Sequence, residues 1–216
     1  MKLDAREARN LLAASDFVAL ATQSARLPGF PFVSHAPFAR DGAGRVVMLL
    51  SRLAEHSRNL AADPRVSLMA TLGGPDPQAQ PRLSLVGELR GERPTPAQQD
   101  RYLRYHPEAG AYLGFGDFRF FRLEVIRVRL VGGFARAGWI EAADWKPRPL
   151  DEGREVALLS RLPSPPAGAP KPIGLDWDGL DLRDADGGRR RAAFARRPDD
   201  EDALLACASD AVRGAS

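Results

Sequence analysis

Between Leu50 and Leu68 the sequence reads LSRLAEHSRNLAADPRVSL, where an apolar run, RVVMLL, gives way to Ser51, Arg52, His56, Ser57, Arg58 and Asn59. Hydroxyl, imidazole, guanidinium and amide groups gathered in this way are donors suited to an anion. A plain turn is served by Gly, Asn or Pro instead. Leu53, His56 and Leu60 at helical spacing, stopped by Asp63-Pro64, predict a helix from Arg52 to Ala62, so the cluster marks a strand-to-helix junction. Free backbone N–H groups and the positive end of the helix dipole there favour a phosphate or carboxylate. A capped, solvated helix is the alternative for the same residues. Arg82 and Ser84, near the start of a separate strand, reach the same ligand if a barrel folds back on itself.

Other chemistries have less support. His35, His56 and His106 are the only histidines, and none has a carboxylate or cysteine at metal-ligand spacing, which argues against a conventional zinc or iron site. No G-x-S-x-G, no G-x-G-x-x-G before a helix and no Walker-type loop occurs. YLGFGDFRFFRLE, Tyr112 to Glu124, reads as a core strand after a Gly-rich turn, or as a flat wall for a ring system with Arg122 supplying charge.

The elements that must position these residues follow from periodicity. A helix is predicted from Asp4 to Ala14, and strands from Phe17, through Ser34 to Phe38, at Arg45 to Leu50, Val66 to Leu72 and Arg82 to Arg90. Thr95 caps a helix that ends at His106-Pro107, and FRFFRLEVIRVRLVGGFARA supplies one long strand pair or two strands joined at Gly132-Gly133. About six strands with short helices between them predict an α+β fold, an antiparallel barrel rather than a doubly wound sheet. Pro147 and Pro149 mark a boundary between units 1–146 and 150–216, and a chain ending near Pro149 should stay folded. In the second unit a helix covers Arg154 to Leu162, IGLDWDGLDLR and RRRAAFARRP form a hairpin about Asp186-Gly187-Gly188, and Asp200 to Val212 closes the chain as a helix.

Composition bounds the rest. The chain has 216 residues, 44% hydrophobic and 27% charged, with net charge +3. This is the profile of an ordinary soluble protein, and the arginines are too dispersed for a nucleic-acid groove. GGRRRAAFARRP, followed by DDED, reads as a charged hairpin beside an acidic helix start. Cys207 is the only cysteine, set among Leu204, Leu205 and Ala206, so a quiet buried thiol in a reducing cytoplasm is expected. No apolar stretch approaches a membrane span of about 18 residues.

PGFPFVSHAPF, LSRLAEHSRNLAADPRVSL, RYLRYHPEAGAYLGFGDFRFFRLEV and LVGGFARA together resemble the pyridoxamine 5′-phosphate oxidase-like split-barrel superfamily, in its haem-utilisation branch, the HugZ family. GLDWDGLDLR and DDEDALLACASDAVR resemble the small α/β domain, DUF2470, that follows the barrel in that branch. The resemblance departs at LDEGREVALL, which has Arg154 where a histidine is expected. It implies a homodimer of split barrels with FMN, or haem in the haem-degrading members, near the subunit interface. It makes Ser51, His56, Ser57 and Asn59 candidate phosphate ligands, with Ser34 and Arg82 from neighbouring strands. The first expectation is accordingly an FMN-dependent oxidoreductase. The alternatives are a haem-binding or haem-degrading protein enclosing the porphyrin with Phe115, Phe118 and Arg122, and a non-catalytic dimeric sensor.

Overall fold

The computed structural model describes residues 4–72, 76, 79–132 and 136–215. Asp4 caps α1 (Ala5–Ala14) through the Arg6 amide, and Ala8, Leu11 and Leu12 on one face enter the core. Then come β1 (Phe17–Gln23), β2 (Pro31–Pro37), β3 (Ala39–Arg40), β4 (Val46–Ser51), α2 (Glu55–Ala62), β5 (Arg65–Thr71) and β6 (Arg82–Glu92). They are followed by α3 (Pro96–Tyr105), α4 (Ala109–Leu113), β7 (Phe118–Val131), β8 (Ala137–Glu141) and α5 (Ala142–Trp145). The eight strands form one antiparallel sheet in the order β2-β1-β5-β6-β7-β4-β3, with β8 also on β7. Strict alternation in β5 and β6 sends Val66, Leu68, Ala70, Leu83 and Leu85 to one face, and the sheet curls round that face as a split barrel. The curl tightens where the β6–β7 register shifts between Val86 and Gly87. A Cβ at Gly87 would collide with the Glu124 carbonyl, so only glycine lets the strands approach there.

The barrel has eight strands rather than the six expected, because β3 is only two residues long and β8 follows the long β7 as a short return strand. Of the Gly132-Gly133 junction and LVGGFARA, residues 133–135 lie outside the described residues. The helix expected from Arg52 begins at Glu55, since Ser51 to Ala54 form a turn.

Beyond Pro149 stand α6 (Glu152–Leu159), β9 (Lys171–Asp176), β10 (Gly179–Arg183), β11 (Arg189–Ala193) and α7 (Glu201–Gly214), with the strands in order β11-β10-β9. IGLDWDGLDLR is thus a hairpin in itself, and its second strand, β10, is also one arm of the hairpin expected about Asp186-Gly187-Gly188, the other arm being β11. The Asp176 carboxylate accepts from the Asp178 and Gly179 amides and closes the turn. Cys207 is half-buried rather than buried. One hydrophobic cluster ends at Trp145 and another starts at Leu150.

Buried charge links the two regions. The Arg40 guanidinium of β3 lies 2.7 Å from Asp176 and 2.9 Å from Asp181, and Arg191 of β11 lies 2.6 and 2.9 Å from the same carboxylates. Arg101 of α3 lies 2.9 Å from Glu155 of α6, and the Tyr105 hydroxyl donates to Asp181. Burial works to raise the pKa of Asp176 and Asp181, but the guanidinium groups of Arg191 and Arg40 outweigh it and hold both carboxyls below the usual carboxylate range. The RRR run is therefore not simply a charged surface. Arg190 faces out and pairs with Asp184, whereas Arg189 and Arg191 are 3% and 2% exposed.

Candidate functional site

The strand-to-helix junction opens on a cavity of about 200 Å³ at one end of the barrel. β2 contributes His35 to Pro37, β4 Leu49 to Ser51, the following turn and α2 Ala54 and His56, and the α3–α4 corner Tyr102, His106, Glu108 and Tyr112. Phe118, the first residue of β7, completes the wall and stacks on Tyr112 with ring centroids 5.1 Å apart. All three histidines of the chain thus meet in one place, although they stand far apart in sequence.

The three imidazoles differ. His35 is exposed and leans on Phe17, with centroids 4.0 Å apart. His56 Nδ1 is 3.1 Å from the Ser34 hydroxyl, and its buried Nε2 has no hydrogen-bond partner within the protein. Burial lowers its pKa, which favours the neutral ring. His106 caps the C-terminus of α3, sets Nε2 2.8 Å from the Phe38 carbonyl and stacks beside Tyr102. Its pKa is lowered by burial first, with the Arg189 charge adding to the effect and the Phe38 carbonyl and Glu108 opposing it.

The donors expected to hold a phosphate have varied surroundings. Ser34 and His56 are brought together. Ser57 faces inward on α2 with its buried hydroxyl unpartnered. Ser51 donates to the Asp117 carboxylate at 2.7 Å, so its proton is already engaged and a negative group stands next to it. Asn59 is fully buried, and both ends of its amide serve the fold. Its oxygen accepts from the Ala25 amide at 2.8 Å and its nitrogen donates to the Thr22 hydroxyl at 2.9 Å. Arg82 pairs with Val131 while Ser51 pairs with Phe118, so the two sit at opposite ends of β7, separated by roughly 40 Å of strand contour. Within one chain the fold does not bring Arg82 to the cavity. Among the described residues no arginine or lysine lines it.

The proposed aromatic enclosure also divides. Phe118 lines the cavity, Phe115 is 66% exposed nearby, and Arg122 turns elsewhere, 3.0 Å from Glu92. Arg154, at the position of the expected histidine, is an exposed residue paired with Glu201. The convergence of His35, His56 and His106 had no local signal. A hint lies in each histidine's falling at the end or junction of a predicted element. No helix among the described residues is long and apolar enough to cross a membrane, and no group of three or more His, Cys, Asp or Glu residues among them could hold a metal ion.

Comparison with known proteins agrees with the fold. The chain is 36% identical over 133 residues, 61% of its length, to the chloroplastic non-canonical heme oxygenase HOZ of Arabidopsis thaliana, and the match spans 41% of that relative. It is similar across 97% of its length to the Agrobacterium tumefaciens protein Atu2129, of unknown function, with 25% identity, TM-score 0.76 and 94% of that chain covered. A heme-binding protein from Mycobacterium smegmatis matches the whole chain at 28% identity and TM-score 0.62, with 98% of its own length covered. Residues 1–147, more than half of the sequence and the part that builds the curled sheet and the cavity, match the CREG β-barrel family, and the chain belongs to that family.

Proposed function

We propose that this protein binds haem at the cavity walled by His56, His106, Tyr112 and Phe118. The observation that carries this reading is the state of two imidazoles, half-buried His56 and buried His106, each with one ring nitrogen engaged by the fold. His56 is fixed through Nδ1 by Ser34, leaving Nε2 orphaned, and His106 is fixed through Nε2 by the Phe38 carbonyl. Neutral imidazoles are metal ligands, and a wall of stacked rings suits a planar macrocycle. The similarity to a heme-binding protein over the whole chain, and to a heme oxygenase over the barrel, supports the same reading.

The charge around Ser51 weighs against a phosphate-bearing group there. A dianion at the junction would face the Asp117 carboxylate beside Ser51, with no arginine or lysine in the wall to neutralise it. FMN is kept as a second reading on one observation, the unpartnered Ser57 hydroxyl in the first turn of α2, whose N-cap, Ala54, supplies no side-chain bond. Haem, when bound, supplies the redox chemistry of an oxidoreductase that opens the ring. The chain's own residues hold it, orient it and exclude water.

At about 200 Å³ the cavity is smaller than the roughly 300–1,000 Å³ of ordinary ligand pockets. Exposed Phe17, Val33, Tyr112 and Phe115 extend its apolar rim, so we assign the remaining wall to a second copy of the chain in a cytoplasmic homodimer. Titration of the purified protein with haemin and, separately, with FMN tests the reading. A Soret band that shifts on binding, and is altered by His56→Ala or His106→Ala, is the expected result. FMN saturation with no haemin binding overturns it.

A further inference from the structure

On one face of α7, Leu204, Ala208 and Val212 pack into the core of the C-terminal region. On the neighbouring face, Cys207, Ala211 and the cap residue Ala215 recur every four residues and border a cavity of about 650 Å³ that lies between the helix and β11. This is within the roughly 300–1,000 Å³ of ordinary ligand pockets. Short side chains keep the space open. A Cβ at Gly214 would meet nothing within 4 Å, and β11 faces the helix here with Ala192 and Ala193. From Cys207 to Ala215 the helical wall runs about 12 Å, at 1.5 Å per residue.

The chemistry of the walls selects an aliphatic body. Among the described residues no hydroxyl, amide or imidazole side chain lines the cavity, and buried Leu182 and Phe194 supply its inner surface. The neighbouring backbone is already satisfied. The Phe194 amide donates to the Asp178 carbonyl at 3.0 Å, and Arg6 donates to the Phe194 and Ala195 carbonyls. A ligand body that needs hydrogen bonds would lose its water there without replacement, whereas a hydrocarbon chain loses nothing.

The charge at the rim selects the head group. Arg190 is held by Asp184 at 3.0 Å and Asp210 by Arg213 at 2.7 Å. Arg196 also borders the cavity, is exposed and has no carboxylate partner among the described residues. A guanidinium left free beside an apolar trough suits a carboxylate.

The geometry points to a binding site for an unbranched, medium-chain fatty acid, with its chain between α7 and β11 and its carboxylate at Arg196. The site shares no residue with the cavity at the barrel end and does not depend on the haem reading.

Cys207 is the only cysteine of the chain, so its alkylation by iodoacetamide reports on this cavity alone. Monomeric dodecanoate, kept below micelle formation, should slow the reaction of the full chain saturably, by about tenfold near ten times its dissociation constant. Arg196→Ala should raise the half-saturating concentration about fivefold, the upper range for an exposed ion pair, and 1-dodecanol should need a similar excess on wild type. Gly214→Phe, which sets a ring in the open space, should abolish the protection with circular dichroism unchanged. Should that variant not fold, Ala193→Trp fills the cavity from the opposite wall and decides in its place. Wild type whose alkylation dodecanoate does not slow overturns the inference, as does protection that Arg196→Ala and the folded filling variant both leave unchanged. Protection by anionic phospholipid vesicles but not by monomeric dodecanoate also overturns it, since the trough would then dock on a membrane surface.

Discussion

Arg101 and Glu155, 54 residues apart in sequence, form an ion pair of 2.9 Å in which the side chains are 3% and 1% exposed. The same carboxylate accepts from Arg104 and from the Leu175 amide, so a single Glu155 binds α3, α6 and β9 together. Glu155→Ala should destabilise the protein by about 3–5 kcal/mol, since one partner of a buried pair is removed and the other charge stays behind. Urea unfolding would measure it. Adding Arg101→Met should recover part of the loss, and a double variant no more stable than Glu155→Ala would refute the assignment.

The same geometry bears on a chain ending near Pro149. Two prolines and a break between hydrophobic clusters argue that it folds alone, but such a chain lacks Glu155, Asp176 and Asp181, leaving Arg40 and Arg101 without their carboxylates. The cut also removes the segment that covers these guanidinium groups, so they regain water, but it uncovers the apolar face of Tyr102 and Tyr105 on which Ile173 packs. The shortened chain should therefore be recovered as aggregate through that face. Soluble expression of the unmodified 1–149 chain would refute this.

Stability should fall on mild acidification. His56 and His106 have folded pKa values pushed below the ordinary histidine value. The unfolded chain therefore binds more protons, and the contribution present above about pH 6.5 is lost as pH drops through the folded values. Asp176 and Asp181, also lowered, add a further loss below about pH 4. Thermal melts from pH 8 to pH 5 should show Tm declining in wild type and declining less in His106→Phe. Identical slopes would exclude His106 as a contributor.

Asn59 and Ser57 should respond oppositely to alanine substitution. Asn59→Ala removes two buried hydrogen bonds and should cost about 3 kcal/mol whether or not ligand is present. Ser57→Ala deletes a hydroxyl that has no partner, so ligand-free stability should hold or rise slightly. Paired denaturation curves distinguish them. A large loss for Ser57→Ala would mean that the hydroxyl is bonded in solution.

The sequence-based reading succeeded where one local rule governed. Thr95 starts α3 and His106 closes it, as read, the structure adding a capping box with Gln98, and Asp63 caps the end of α2. It failed where the determining contact was distant. Arg189 and Arg191 look like surface charges because nothing in RRRAA reveals Asp16, Asp176 or Asp181 opposite them; only their spacing of two, which puts both on one face of a strand, gave a clue. Asn59 was legible as polar but not as the clamp on the β1–β2 connection, since its partners Thr22 and Ala25 precede it by more than 30 residues. The clustering of three histidines likewise depends on how β2, α2 and α3 pack.

The alternation of β11 has a consequence for folding fidelity. With so few large apolar residues, RRRAA has little hydrophobic pattern with which to choose its alignment against β10, and a slip by one residue would turn Arg190 inward and Arg189 and Arg191 outward. The slipped hairpin would strand the Asp176 and Asp181 carboxylates in the interior without Arg191. Electrostatics thus acts as a proofreading device here, rejecting the misaligned hairpin through the cost of two buried anions left to share Arg40 alone, where other strands rely on greasy side chains.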